Sequence, residues 1–185
     1  MRHDHERWIR GLRAGDGAVF DEIHSAHAAR LYGFLRRMTG RADVADDLLQ
    51  DTFLSLARAA PTLRDDTDVG AYLFTIARNA YRTHRRWSLL DLARWFAAPH
   101  AETADPRFEE RLDACEATRR LERELGALPD DQREAVLLVC VEGMSCDDAA
   151  AIVGVPAATL RKRLSRARAA LDGALGPLRL RRGTT

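Results

Sequence analysis

The sequence predicts an all-α protein made of two small helical domains. Three observations carry that reading. Apolar residues recur at helical spacing along most of the chain. No stretch combines period-two alternation with β-branched enrichment. A segment rich in proline and small polar residues interrupts the helical pattern near the middle. The 185 residues, 46% of them hydrophobic, suffice for packed cores.

The elements follow in chain order. The extreme N-terminus is expected to be disordered, so His3 and His5 are not expected to hold a metal. Phe20, Ile23, His27, Leu31, Phe34, Leu35 and Met38 then share one helical face, which stops near Gly40. A second helix is expected over 43–59, ending before Pro61, with Val44, Ala45, Leu48, Leu49, Thr52, Phe53 and Leu56 on its apolar side. A polar loop, 62–68, leads to a third helix over 69–87. Its expected buried face is Leu73, Ile76, Ala77, Ala80, Tyr81 and Trp87.

Residues 88–111 are less regular. They open apolar, with Leu89, Leu90, Leu92, Trp95 and Phe96, and then pass through Pro99 and Pro106 among small polar residues. Helical spacing resumes near 108 and continues to 128. Pro129 stands where the first residue of the next helix belongs, and that helix, 130–142, stops at Gly143. A helix-turn-helix over 144–168 follows: a short helix ends at Gly154, Pro156 marks the turn, and an arginine-crowded helix begins. The expected division is therefore 1–95, a flexible linker 96–115, a second domain 116–178, and a basic tail 179–185.

The net charge of +1 excludes a uniformly basic nucleic-acid coat but permits local patches of opposite sign. Lys162 is the single lysine, so nearly all positive charge is arginine, which suits phosphate and guanine recognition and also follows from GC-rich coding. Cys115, Cys140 and Cys146 fit no CxxC pattern. The first two are expected in the core and Cys146 partly exposed. No signal peptide or membrane-length apolar run is read in the sequence, so a cytoplasmic location is expected. There is no phosphate-binding glycine loop, no metal-spaced His/Cys cluster and no Gly-x-Ser-x-Gly elbow, so neither catalysis nor a cofactor is expected.

Three helical faces carry chemistry. On the last helix Leu160, Leu164, Ala167 and Leu171 form a stripe that packs inward. Ala158, Thr159, Arg161, Lys162, Ser165 and Arg166 lie away from it, free to meet base edges or phosphates in a major groove. On the third helix Arg78, Arg82, Arg85 and Arg86 oppose the apolar face, with Thr75 and Asn79 beside them. Tyr72, Phe74, Tyr81 and Trp87 nearby offer aromatic surfaces. Such mixing suits single-stranded nucleic acid, and equally fits an ordinary amphipathic helix with core aromatics. On the second helix Leu54 projects among Asp46, Asp47, Gln50 and Asp51. The residues alone fit a protein-docking patch or a solvated acidic helix.

Taken together these segments resemble the extracytoplasmic-function sigma factors of bacterial RNA polymerase. Asp46-Asp47-Leu48-Leu49-Gln50-Asp51-Thr52-Phe53-Leu54 is similar to the family's AEDLVQEVFL motif. Tyr72-Leu73-Phe74-Thr75-Ile76-Ala77-Arg78-Asn79 is similar to WLxxIARN, and Leu128 to Leu138 to LPxxxREVLLL. The helix-turn-helix is similar to G(L/M)SxxEIAxxLGxPxGTVKSRLxRAR. The four motifs stand in the family's order, and the resemblance spans nearly the whole chain outside linker and tail. Tyr72 replaces the motif's Trp, Thr83 a frequent Asp, Ala158 the usual Gly, and Ala149-Ala150 the Ile-Ala pair.

The resemblance implies a region two and a region four joined by a flexible linker. It implies that Asp47, Gln50, Asp51 and Leu54 dock on the clamp helices of the largest subunit of core RNA polymerase. The −10 element falls to the loop, with Arg64, and to Tyr72, Arg78, Asn79, Arg82, Arg85 and Arg86. The −35 element falls to Ala158, Thr159, Arg161, Lys162, Ser165 and Arg166. It also implies contact with the flap of the second-largest subunit and restraint by an anti-sigma factor. Three other classes stand behind it: a two-domain regulator that binds duplex DNA without polymerase, a sigma-like decoy that sequesters a partner protein, and, a distant third, a nuclease using Asp46, Asp47 and Asp51, whose grouping alone does not make a metal site.

Overall fold

The computed structural model describes residues 2–95 and 116–175. Among them there are α-helices and no strands. The chain divides into two compact units, 1–108 and 109–185. The expected linker, 96–115, and the expected tail lie outside the described residues, as do Cys115 and the side chains of His3 and His5.

The first unit holds α1 (Arg2–Ala14), α2 (Gly17–Thr39), α3 (Ala42–Ala59) and α4 (Val69–Trp95), with a short 3₁₀ turn, Ala60–Thr62, after α3. The helix at α1 corrects the expectation of a disordered N-terminus. Ile9 and Leu12, the buried residues among those of α1 whose side chains are described, make too short a stripe to stand out in the sequence. Gly11 lets α1 lie hard against α2, because a Cβ there would sit 2.6 Å from Val19 Cγ2 and 2.8 Å from Val19 Cβ. Asp16 caps α2, its carboxylate accepting from Ala18 N at 2.9 Å, and Gly40 closes it at φ +73°.

The core forms where α2, α3 and α4 meet. Ile23, Leu31, Leu35, Leu56 and Leu73 are fully enclosed. Phe34 meets Phe74 edge to face, with ring centres 5.6 Å apart, and each ring contributes about 1.5–3 kcal/mol by burial. Phe74 and Tyr81 are thus core residues and not surface aromatics. Phe20, expected inside, is half-buried against Phe53. Trp87 is a second correction: it is 62% exposed. The helix continues past Tyr81, its last buried residue among those described, and every residue from 82 to 87 is exposed. The irregular stretch after Ser88 is helical as far as Trp95.

The second unit holds α5 (Glu116–Ala127), α6 (Asp130–Val136), α7 (Cys146–Val153) and α8 (Ala157–Leu175). Pro129 precedes the helix as its cap residue, and Asp130 is the first helical position. The Arg133 guanidinium ties α6 to the end of α5. Its Nε donates to Leu125 O at 2.9 Å and its Nη2 to Leu128 O at 2.9 Å, satisfying carbonyls the helix leaves open. After Val136 the coil widens into a π-helical turn, Leu137–Val141, where Glu142 N donates to Leu137 O. That widening turns Cys140 outward. It is exposed, not core as expected, and its Sγ accepts from Arg168 Nη2 at 3.5 Å.

Candidate polymerase and DNA interfaces

On α3 the amphipathic pattern resolves into two opposed faces. Ala45, Leu48, Thr52, Phe53 and Leu56 are buried, and Thr52 hides its hydroxyl by donating to Leu48 O at 2.7 Å. Asp46, Asp47, Gln50, Asp51 and Leu54 are exposed. Leu54 is 47% exposed, a large apolar side chain that the fold leaves outside. Asp46, Asp47 and Asp51 form no ion pair among the described residues, so their charge stays available to a partner. At the start of α3 the Arg41 guanidinium, hydrogen-bonded to Asp43, holds that carboxyl below its ordinary value.

The loop between α3 and α4 is closed by its own polar groups. Arg64 forks onto Asp66, with Nε–Oδ1 and Nη2–Oδ2 both 3.1 Å. Thr67 exchanges hydrogen bonds with Arg64, its Oγ1 accepting from Arg64 N at 3.2 Å and its N donating to Arg64 O at 3.1 Å. Asp68 caps α4, accepting from Ala71 N at 2.9 Å.

Along α4 Tyr72 and Arg78 are half-buried, while Asn79, Arg82, Arg85 and Arg86 are exposed. Arg78 donates to Asn79 Oδ1 at 3.3 Å and Arg85 to the Tyr81 hydroxyl at 3.1 Å. Arg82 and Arg86 make no ion pair with a described residue. The structure therefore brings the six expected α4 residues to one helix beside the loop that carries Arg64.

In the second unit the turn between α7 and α8 is set by backbone geometry. Ser145 caps α7 by accepting from Asp148 N at 3.1 Å. Gly154, at φ +69°, ends α7: its N donates to Ala151 O and Val155 N to Ala150 O, the Schellman pairing. On α8 Leu160, Leu164, Ala167 and Leu171 are buried, as expected. Ala158, Arg161, Lys162, Ser165 and Arg166 are exposed and Thr159 half-exposed, all in the first three turns.

Sequence reasoning missed two kinds of residue. Asp147 of α7 pairs with Arg161 at 3.0 Å, and Asp131 of α6 with Arg163 at 3.2 Å. Arg13, in the last turn of α1, reaches the α3–α4 loop. Neither signal was local: both pairs on α8 join residues 14 or more apart, and Arg13 lies in a helix the sequence did not announce.

No cluster among the described residues could hold a metal ion, and no helix among them is long and apolar enough to cross a membrane.

Comparison with known proteins agrees with this geometry. Sigma-70 region 2 matches residues 23–87, and Sigma-70 region 4 matches residues 118–171. The chain is 36% identical over 162 residues to the sigma factor EcfG of Rhodopseudomonas palustris, covering 84% of this chain and 83% of that one. It is 36% identical over 166 residues to SigM of Mycobacterium tuberculosis, covering 89% and 81%. Among solved structures, the sigma factor RpoE in complex with the anti-sigma factor NepR from Bartonella quintana matches with TM-score 0.73. The identity there is 28%, over 86% of this chain and 98% of that one. CnrH, solved with the cytosolic domain of CnrY, matches with TM-score 0.69 and 26% identity, over 93% and 97%. Helical architecture, the two matched regions and these relatives converge: the chain belongs to the ECF sigma factors, alternative sigma subunits of RNA polymerase that direct transcription from promoters.

Proposed function

We propose that this sigma factor divides its work among three surfaces. Asp47, Gln50, Asp51 and Leu54 dock on the clamp helices of the largest polymerase subunit. The observation that carries this assignment is Leu54, half-exposed on the helix face of Asp47 and Asp51, which form no ion pair among the described residues. An acidic face of this kind has no use close to the DNA phosphates, which would repel it. Charge guides the encounter and the leucine supplies burial.

The loop with Arg64, together with Tyr72, Arg78, Asn79, Arg82, Arg85 and Arg86, engages the −10 element, where one strand is separated and a base is flipped out. Ala158, Thr159, Arg161, Lys162, Ser165 and Arg166 read the −35 element as duplex, Ala158 allowing close approach of the helix N-terminus to the groove. The second unit also touches the flap of the second-largest subunit. Two weak DNA contacts held on one polymerase reinforce each other through effective concentration, so the free chain binds promoters poorly. An anti-sigma factor restrains the protein by covering these faces. The anti-sigma factor NepR bound to RpoE in that co-crystal structure supports that reading. The chain works in the cytoplasm by binding, without chemistry of its own.

The test is pull-down with core polymerase followed by run-off transcription. Asp51→Arg should weaken core binding at least tenfold while helix content stays unchanged. Normal assembly by that variant removes α3 from docking. Arg166→Ala should lower transcription from promoters with an intact −35 element, and an unchanged response to −35 mutations removes α8 from readout. A regulator acting on duplex DNA alone would bind its site without polymerase.

A further inference from the structure

The loop offered above to the −10 strand carries three carboxylates, Asp65, Asp66 and Asp68, between Leu63 and α4. A ligand rich in phosphate is repelled by such a loop unless each charge is answered and the backbone is held. Two of the answers are local. Asp66 is gripped by Arg64, and Asp68 accepts from the first turn of α4. The third comes from 52 residues away. Arg13, on the last turn of α1, donates its Nε to Leu63 O at 3.0 Å and its Nη1 to Asp65 Oδ1 at 2.5 Å, and its Nη2 also donates to Leu63 O. Leu63 itself is 6% exposed, a plug that fixes the loop's root, while the Asp65 side chain is 85% exposed at its tip. One planar guanidinium therefore spans root and tip, a task its forked donors suit and a single ammonium does not.

We propose that Arg13 is a positioning residue for promoter recognition: it holds the 63–68 loop in the shape that receives the unpaired −10 base, without itself touching DNA. Arg13 lies ahead of the segment matched to Sigma-70 region 2, which starts at residue 23, while the loop it holds lies within that segment. The proposal rests on the assignment of the loop to the −10 strand. A held loop spends no binding energy on ordering itself when the base arrives, so losing the clamp lowers affinity and blurs base choice together.

The test uses holoenzyme reconstituted with core polymerase. The probes are single-stranded −10 oligonucleotides, substituted one base at a time. Arg13→Ala should lower affinity for the preferred oligonucleotide by about tenfold and flatten the preference at one base position, leaving other positions and core binding unchanged. Asp65→Ala, which cuts one leg of the clamp from an exposed side chain, should do the same more weakly. Arg13→Lys should recover little of the preference. Full rescue by Lys would reduce Arg13 to a general positive charge and overturn the proposal. So would an equal loss at every position accompanied by a lowered melting temperature, since that is a folding defect. Replacing residues 64–67 by Gly-Ser separates the two readings. If that replacement abolishes base preference while Arg13→Ala keeps it, the clamp alone is wrong. If it keeps the preference, the loop is not the reader, and both fail.

Discussion

Two arginine-rich helices, α4 and α8, do different things with the same residue type. On α8 two of the arginines are aimed by carboxylates from neighbouring helices, Arg161 by Asp147 and Arg163 by Asp131. On α4 Arg82 and Arg86 project with no ion pair among the described residues. An aimed guanidinium is suited to a fixed base edge in a groove. A loose one is suited to a backbone whose path changes as strands part. Under the proposed assignment, identical chemistry is tuned for reading or for following by what stands beside it.

Substitutions can break or sharpen that contrast. The largest effects concern packing beneath each helix. Leu73 and Leu160 are both 0% exposed, and Leu73→Ala or Leu160→Ala should each destabilise its own unit by about 2–5 kcal/mol. Hydrogen exchange should show lost protection in the altered unit alone. Equal loss in both would contradict the two-unit division.

Next comes DNA reading. Arg161→Ala should cost about 1–3 kcal/mol of discrimination at a single −35 base pair. The pair Arg82→Ala and Arg86→Ala should instead weaken binding evenly across sequences and flatten the salt dependence by roughly 0.7–0.9 per charge removed. Holoenzyme titrations over a range of salt decide the matter. A sequence-specific defect in the α4 variant would erase the distinction.

Gly154→Ala forces a Cβ into φ +69° and should cost about 1–2 kcal/mol, seen as a lower melting temperature of the second unit with α4 untouched. The smallest effect belongs to Asp147→Ala. Its exposed pair with Arg161 contributes about 0.2–1 kcal/mol to stability, yet its removal should relax −35 choice more than it lowers melting. A fall in stability with promoter choice intact would show that the pair serves the fold and not the aim.

Much of this was legible from spacing. The stripes on α2, α3 and α8 arise from short-range geometry: a period of about 3.6 residues puts Leu160, Leu164, Ala167 and Leu171 on one line whatever they pack against. The exposed Leu54 followed from the same arithmetic. What escaped depends on where neighbours stop. Trp87 continues the buried stripe of α4 on paper, but nothing among the described residues covers it. Cys140 sits one helical turn after the buried Val136, and only a widened coil, which no propensity marks, rotates it outward. The α1 helix was missed because Ile9 and Leu12, its buried residues among those whose side chains are described, give little periodic signal. The residues that orient others, Arg13, Asp131 and Asp147, are legible only once helices distant in sequence have been brought together.

Gly11 shows how far such dependence can reach. It bears no side chain, meets no expected ligand, and would pass unnoticed in any survey of charged surfaces. Yet any larger residue there would have to wedge α1 away from Val19, and Arg13, two positions further on, would travel with the displaced helix. Methyl by methyl, position 11 is a remote dial on the grip at Leu63. A designer wishing to loosen promoter choice without altering one group beside the DNA could begin there.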